Sequence, residues 1–162
     1  MAVSICLKVG KIKGESVVTK HEGEIDVLEW SWGLTQSASA HVSQGAGTGS
    51  ADVRDLTIKK YIDAASPTLL QEAFYGHDHK EATLTVLKAG GKTAIEMVKI
   101  TMSGTVFISS VSTGHPTADD RYTETVTLNF AKVKFEYTGQ NADQSKGASV
   151  AGEFDIAKKH FG

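Results

Sequence analysis

The sequence predicts a mainly β protein: a curved sheet of the barrel or tight-sandwich kind, with one short helix. Three features carry that prediction. Apolar and polar residues alternate over many segments, which is the period of half-buried strands. In two of these segments, "VLEWSWGL" and "VTLNFAKVKF", the alternation changes phase. An inserted residue of that kind bends and twists a strand, and bent strands curve the sheet they belong to. Only one segment, "SPTLLQEAFYG", reads as a helix with both ends marked.

The first strand is "VSICLKV", where Val3, Ile5, Leu7 and Val9 alternate with Ser4, Cys6 and Lys8. "KGES" at residues 13–16 opens a polar connection that reaches Gly23. The second strand starts with Ile25 and Val27 on odd positions and continues with Leu28, Trp30, Trp32 and Leu34 on even ones. One continuous strand with a bulge near Val27–Leu28 accounts for that change. Residues 37–52, "SASAHVSQGAGTGSAD", form an extended loop with Gly45, Gly47 and Gly49 alternating in it. Loops of this length inside a compact domain are usually functional or disordered. A strand follows through "VRDLTIKKYI", residues 53–62.

In the helix, Ser66 suits the N-cap, where its hydroxyl accepts a free backbone N–H. Pro67 suits the first turn, Leu69, Leu70, Ala73 and Phe74 make an apolar stripe, and Gly76 suits the C′ position. "EATLTVLKA" and "TAIEMVKITMSGTVFISSVS" flank Gly90-Gly91 as a hairpin, with a bend expected at Gly104. After "GHPTADDR", Val126, Leu128 and Phe130 give way to Val133, Phe135 and Tyr137. "QNADQSKGAS" is a polar loop, and Val150, Gly152, Phe154 and Ile156 mark a last strand. The 162 residues fit one domain, 1–162.

Composition excludes several functions. With 17 Lys+Arg against 19 Asp+Glu, the net charge is -2 and no basic patch of the kind nucleic acid demands is evident. The doublets Lys59-Lys60 and Lys158-Lys159 read as solvated surface. Cys6 is the only cysteine, so no intrachain disulfide forms, and a reducing compartment is expected. "MAVSICLKVG" alternates like a strand and lacks the basic start and apolar run of a leader. No segment has transmembrane length, so no membrane insertion is expected.

Catalytic groupings are weak, and the expectation is a protein that is not an enzyme and carries no metal or cofactor. The six histidines are dispersed. His77-Asp78-His79 is the one histidine cluster suggestive of a metal, and no third or fourth ligand accompanies it. Asp119-Asp120 suits a turn as well as a cation. "QGAGTGSAD" lacks both the lysine and the strand-to-helix context of a phosphate loop. No nucleophile elbow appears.

Both tryptophans lie in "EIDVLEWSWG", two residues apart. On a strand Trp30 and Trp32 share one face, while Ser31 and Gly33 share the other. One face is bulky and the other nearly bare. That segment, with "KGES" before it and "IKKYIDAASP", "SSVSTGHPTADDR" and "TETVTLNFAKV" after it, closely resembles the Hcp family, the haemolysin-coregulated proteins of bacterial type VI secretion systems. The resemblance runs from Met1 to about Tyr137 and weakens after Gly139. It rests on the ordered set rather than on any one motif.

The resemblance implies a two-sheet β-barrel with one short α-helix packed at its side. It implies homohexameric rings with a wide pore, stacked into the inner tube of a contractile device. The partners are then further rings, a VgrG-type spike protein, the contractile sheath and baseplate, and effector proteins held in the pore. The protein would be made in the bacterial cytoplasm and leave through the secretion system without a signal peptide. Trp30 and Trp32 would fill the barrel, and Ser31 and Gly33 would face the pore and its cargo. The extended loop 37–52 would reach the adjacent ring, with Ser43, Gln44, Gly45, Ala46, Gly47, Thr48 and Gly49 as its stacking segment. The competing reading is a β-sandwich carbohydrate-binding module, which would present exposed aromatics on a concave face.

Overall fold

The computed structural model of the chain describes residues 3–41, 49–115 and 121–158. Ten strands and one α-helix follow in the order β1 (Val3–Val9), β2 (Ile25–Asp26), β3 (Glu29–Ser31), β4 (Leu34–Gln36), β5 (Ala51–Val53), β6 (Leu56–Tyr61), α1 (Ser66–Tyr75), β7 (Asp78–Lys88), β8 (Ile95–Gly114), β9 (Thr123–Gln140) and β10 (Lys146–Asp155), with a 3-10 turn at Ile156–Lys158. The main sheet runs β2-β1-β7-β8-β9-β6-β3, with β10 added on β9, and β4-β5 is a separate two-stranded sheet. The mainly β, two-sheet, one-helix expectation holds.

The segment holding the tryptophans is not one bulged strand. The Val27 N–H donates to Ile5 O, whereas the next N–H, of Leu28, donates to Lys59 O. At the predicted phase change the chain therefore leaves β1 and joins β6. Because β2 and β3 are the two ends of the seven-strand path, one short segment holds both ends and curls the sheet. Residues 53–62 likewise divide, Val53 ending β5 in the small sheet and Leu56 starting β6 in the large one.

β9 behaves as its sequence predicts. Val126, Leu128 and Phe130 are buried on even positions, and Val133 on an odd one. Its partner β8 shifts register between Ser103 and Val106, where Gly104 has φ +81°. A Cβ on Gly104 would stand 3.0 Å from the Ala131 Cβ, so the bend needs a glycine. The bend also divides the other edge of β9. Thr123–Leu128 pair with β6, and Lys132–Gln140 pair with β10.

The helix departs from expectation at its start. Ala65 is the N-cap and makes no side-chain cap bond. Ser66 is instead the first helical residue, and its hydroxyl turns inward, accepting the Asp63 N–H at 2.9 Å. Asp63 Oδ1 accepts the Ala65 N–H at 2.9 Å, which ties down the entry to the helix. Gly76 has φ 65° and closes the helix as predicted, with the His77 N–H reaching Glu72 O. The apolar stripe splits: Leu69 is buried, but Leu70 is exposed and Phe74 is 81% exposed.

Lys60 is a second correction. It is not solvated surface but 0% exposed. Leu56, Ile58 and Lys60 share the inward face of β6, and Lys60 pairs in register with Glu124 of β9, itself buried. The ammonium lies within hydrogen-bond distance of four acceptors, Glu124 Oε1 (2.5 Å), Asp63 Oδ1 (2.8 Å), Tyr61 O (2.8 Å) and Ser66 Oγ (3.2 Å), which its three hydrogens share. A buried cation is tolerable only when it is paired and hydrogen-bonded to this extent. "KYIDAAS" is thus one device, a lysine whose acceptors lie one, three and six residues on.

Cys6 is buried, its Sγ 3.6 Å from Ser16 Oγ. Burial pushes its thiol up, and the Ser16 hydrogen bond only partly opposes this. A raised, buried thiol is a poor nucleophile. Native protein should therefore stay unlabelled by a thiol reagent under conditions that modify the denatured chain within minutes. Rapid labelling without unfolding would show that the first strand opens readily.

Candidate functional site

The face opposite the core is built by four adjacent strands. Ladder pairing places Trp30, Ile58, Val126 and Val111 in one row across β3, β6, β9 and β8. The neighbouring row, one residue along each ladder, is Ser31, Thr57, Thr127 and Ser110. Successive residues of a strand point to opposite faces, so an apolar row inside is matched by a hydroxyl row outside. Ile58 and Val126 are fully buried, and Ser31 is exposed. The next outward row is Glu29, Lys59, Thr125 and Ser112. These two outward rows are polar, and Glu29 stands opposite Lys59 in register.

The tryptophans pack against the core as expected, but neither is fully buried. The Trp32 indole N–H donates to Arg54 O at 2.9 Å. Its ring lies 6.3 Å from Phe135, 6.5 Å from Phe130 and 5.9 Å from Phe154 between centroids, so it joins β9 to β10 at the rim. Gly33 follows β3, and a Cβ there would meet nothing within 4 Å. It therefore lies beside open space, two residues past Ser31, and its carbonyl accepts the Arg54 N–H at 3.0 Å.

The loop predicted to stack leaves the β4-β5 hairpin. Its base is clamped: the Ser50 N–H donates to Ser37 Oγ at 2.9 Å, and the Ala38 N–H to Gln36 Oε1 at 3.0 Å. Gly49 packs so closely that a Cβ would fall inside contact distance of the Ala38 backbone. Ser43, Gln44, Gly45, Ala46, Gly47 and Thr48 lie outside the described residues.

The histidine cluster gathers on a carboxylate. His77 Nδ1 and His79 Nε2 lie 3.1 and 3.5 Å from Glu72 Oε2. Among the described residues no three His, Cys, Asp or Glu side chains converge as metal ligands. Asp119 and Asp120 lie outside the described residues. No helix among the described residues is long and apolar enough to cross a membrane.

Sequence reading missed one feature of the face. β8 shifts register between Ile108 and Ser110, so Ser109 and Ser110 stand against the single residue Thr127. The signal was present in "VFISSV", where Val106 and Ile108 are followed by Val111 instead of an apolar residue at 110.

A family model described as "Type VI secretion system effector, Hcp" matches residues 6–137. The chain is 47% identical over 146 residues to "Protein hcp1" of Pseudomonas aeruginosa, covering 90% of each sequence. Among solved structures it is similar to one described as that of a type six secretion system protein, with TM-score 0.87 and 27% identity over 98% of each chain. Hcp1 from Salmonella typhimurium superposes with TM-score 0.78 at 31% identity, again over 98% of each chain.

Proposed function

Since the chain belongs to the Hcp family of the type VI secretion system, we propose that it is the inner-tube subunit, a structural protein rather than an enzyme. Six copies close a ring, rings stack, and the stack is expelled by a contractile sheath from a baseplate, capped by a VgrG-type spike. The hydroxyl face carrying Ser31 and Gly33 lines the pore and holds effector proteins. Synthesis in the cytoplasm and export through the tube follow from this role. The observation that carries the reading is the hydroxyl row set directly against the apolar row. Open polar sheet on one side and packed core on the other is what the wall of a water-filled conduit needs.

A closed ring requires two different, complementary patches on each subunit. β10 pairs with β9 along one edge only, and Val150 (71% exposed) and Phe154 stay accessible on it. Exposed sheet edges of that length are normally paired or covered, and a neighbouring subunit would do this.

Two measurements test the assignment of surfaces. Shortening the loop between Ser43 and Ser50 should leave the unfolding midpoint nearly unchanged, since closure entropy changes by roughly 0.6 kcal/mol per doubling of length. Tube assembly and secretion should fail in the same variant, because ring-on-ring contact is lost. A shortened chain that unfolds, or that secretes like the parent, contradicts the stacking role. Ser31→Gln should keep the ring but alter co-purification of effectors, since six enlarged side chains enter one level of the pore. Unchanged retention across several effectors would remove Ser31 from the cargo surface.

A further inference from the structure

The Ser109–Ser110 bulge builds something on the hydroxyl face that a regular ladder would not. Thr127 Oγ1 lies 2.7 Å from Ser109 Oγ and 2.6 Å from Ser110 Oγ. Ser109 Oγ donates to Asp55 Oδ2 at 2.6 Å, and Asn129 Nδ2 donates to Asp55 Oδ1 at 2.9 Å. All these bonds are solvent-exposed, and Asp55 sits just before β6. Bulges recur where a side chain has to be re-aimed, often beside functional sites.

The hydrogens in this array can be counted. Each hydroxyl carries one hydrogen and two acceptor lone pairs. Ser109 gives its hydrogen to Asp55. For the Ser109–Thr127 contact to be a hydrogen bond, Thr127 then donates to Ser109. For the same reason Ser110 donates to Thr127. The hydrogens run one way, from Ser110 through Thr127 and Ser109 to the carboxylate, and none of the three is left pointing outward. The array offers a partner oxygen lone pairs and one negative charge, plus the remaining Asn129 amide hydrogen. Lys59, the cation of the neighbouring outward row, stands opposite Glu29 in the ladder.

We propose that the array of Asp55, Ser109, Ser110, Thr127 and Asn129 is a docking point for basic, donor-rich segments of cargo proteins, chiefly arginine and lysine side chains. The inference rests on the pore reading, because Thr127 and Ser110 lie in the same row as Ser31. It adds the chemistry of what is held. Guanidinium and ammonium groups supply the donors that the array lacks, and charge-assisted bonds are the stronger kind. The contact is exposed, so salt weakens it.

The test uses the full-length protein and two fluorescent peptides of equal length, one arginine-rich and one glutamate-rich, followed by anisotropy. The arginine-rich probe should bind at low salt and be released at high salt, and the glutamate-rich probe should not bind. Asp55→Asn should weaken the arginine-rich probe roughly tenfold or more, the worth of one charged hydrogen bond. Unfolding midpoints show whether Asp55→Asn remains folded. If it does not, Asn129→Lys serves instead, placing an ammonium at an exposed position beside Asp55, and it should abolish the preference. Equal binding of both probes, or unchanged affinity in the folded variants, overturns the proposal. Native mass spectrometry of the same samples separates the two readings. An intact ring whose probe binding ignores Asp55 sinks the docking point alone. A monomer that still binds through Asp55 sinks the pore reading and keeps the site.

Discussion

Lys60→Met should lower the free energy of unfolding by about 3–5 kcal/mol, as expected when one partner of a buried ion pair is removed. The substitution leaves the Glu124 side chain at 0% exposure and that of Asp63 at 10%, with their shared cation gone. It also releases Ser66 Oγ and Tyr61 O from the ammonium, so the start of α1 loses its link to Lys60 of β6 and is held to β9 through the Ser66–Glu124 bond. Adding Glu124→Met should cost less than a second full penalty, because the stranded carboxylate is what makes the first change expensive. Residues in one network couple by about 0.5–3 kcal/mol. Denaturant unfolding of both singles and the double measures this. A loss below about 1 kcal/mol for Lys60→Met would mean that water reaches the lysine, and strict additivity would mean that the two side chains do not interact.

Trp32→Ala should cost about 2–3 kcal/mol, below the range for a fully buried tryptophan because part of the indole stays accessible. The ring's contacts with Phe130, Phe135 and Phe154 would be lost together with its bond to Arg54 O. Ser31→Gln, one residue away on the other face, should change stability by no more than about 0.5 kcal/mol, as exposed positions usually do. The contrast between neighbours is the informative result. A Ser31→Gln chain that unfolds as easily as Trp32→Ala would show that β3 faces the other way.

Period-two patterning made most of this legible before the structure. "EWSW" read correctly as two faces, and the passage from Phe130 to Val133 correctly located the bend in β9. Gly104 also marks a bend, as a glycine inside a strand often does. What escaped depends on partners distant in sequence. The phase change at Val27–Leu28 fits a bulge and a change of partner strand equally well, and only the bonds to Ile5 and Lys59 distinguish them. Lys60 occupies an inward position by alternation with Leu56 and Ile58, and Glu124 does so with Val126 and Leu128. Each looks like a surface charge until the two are found opposite one another. Serine before proline fits a capping role, yet the Ser66 hydroxyl serves Lys60, Glu124 and Asp63. Asp55 and Asn129 lie 74 positions apart, so nothing local in the sequence announces their contact.

The ring is the claim on which the pore, the cargo face and the stacking loop all depend. Native mass spectrometry of the purified full-length chain at micromolar concentration tests it directly. The account predicts a dominant species near six times the 17.3 kDa chain, persisting through moderate salt. A chain that stays monomeric across those conditions would contradict it.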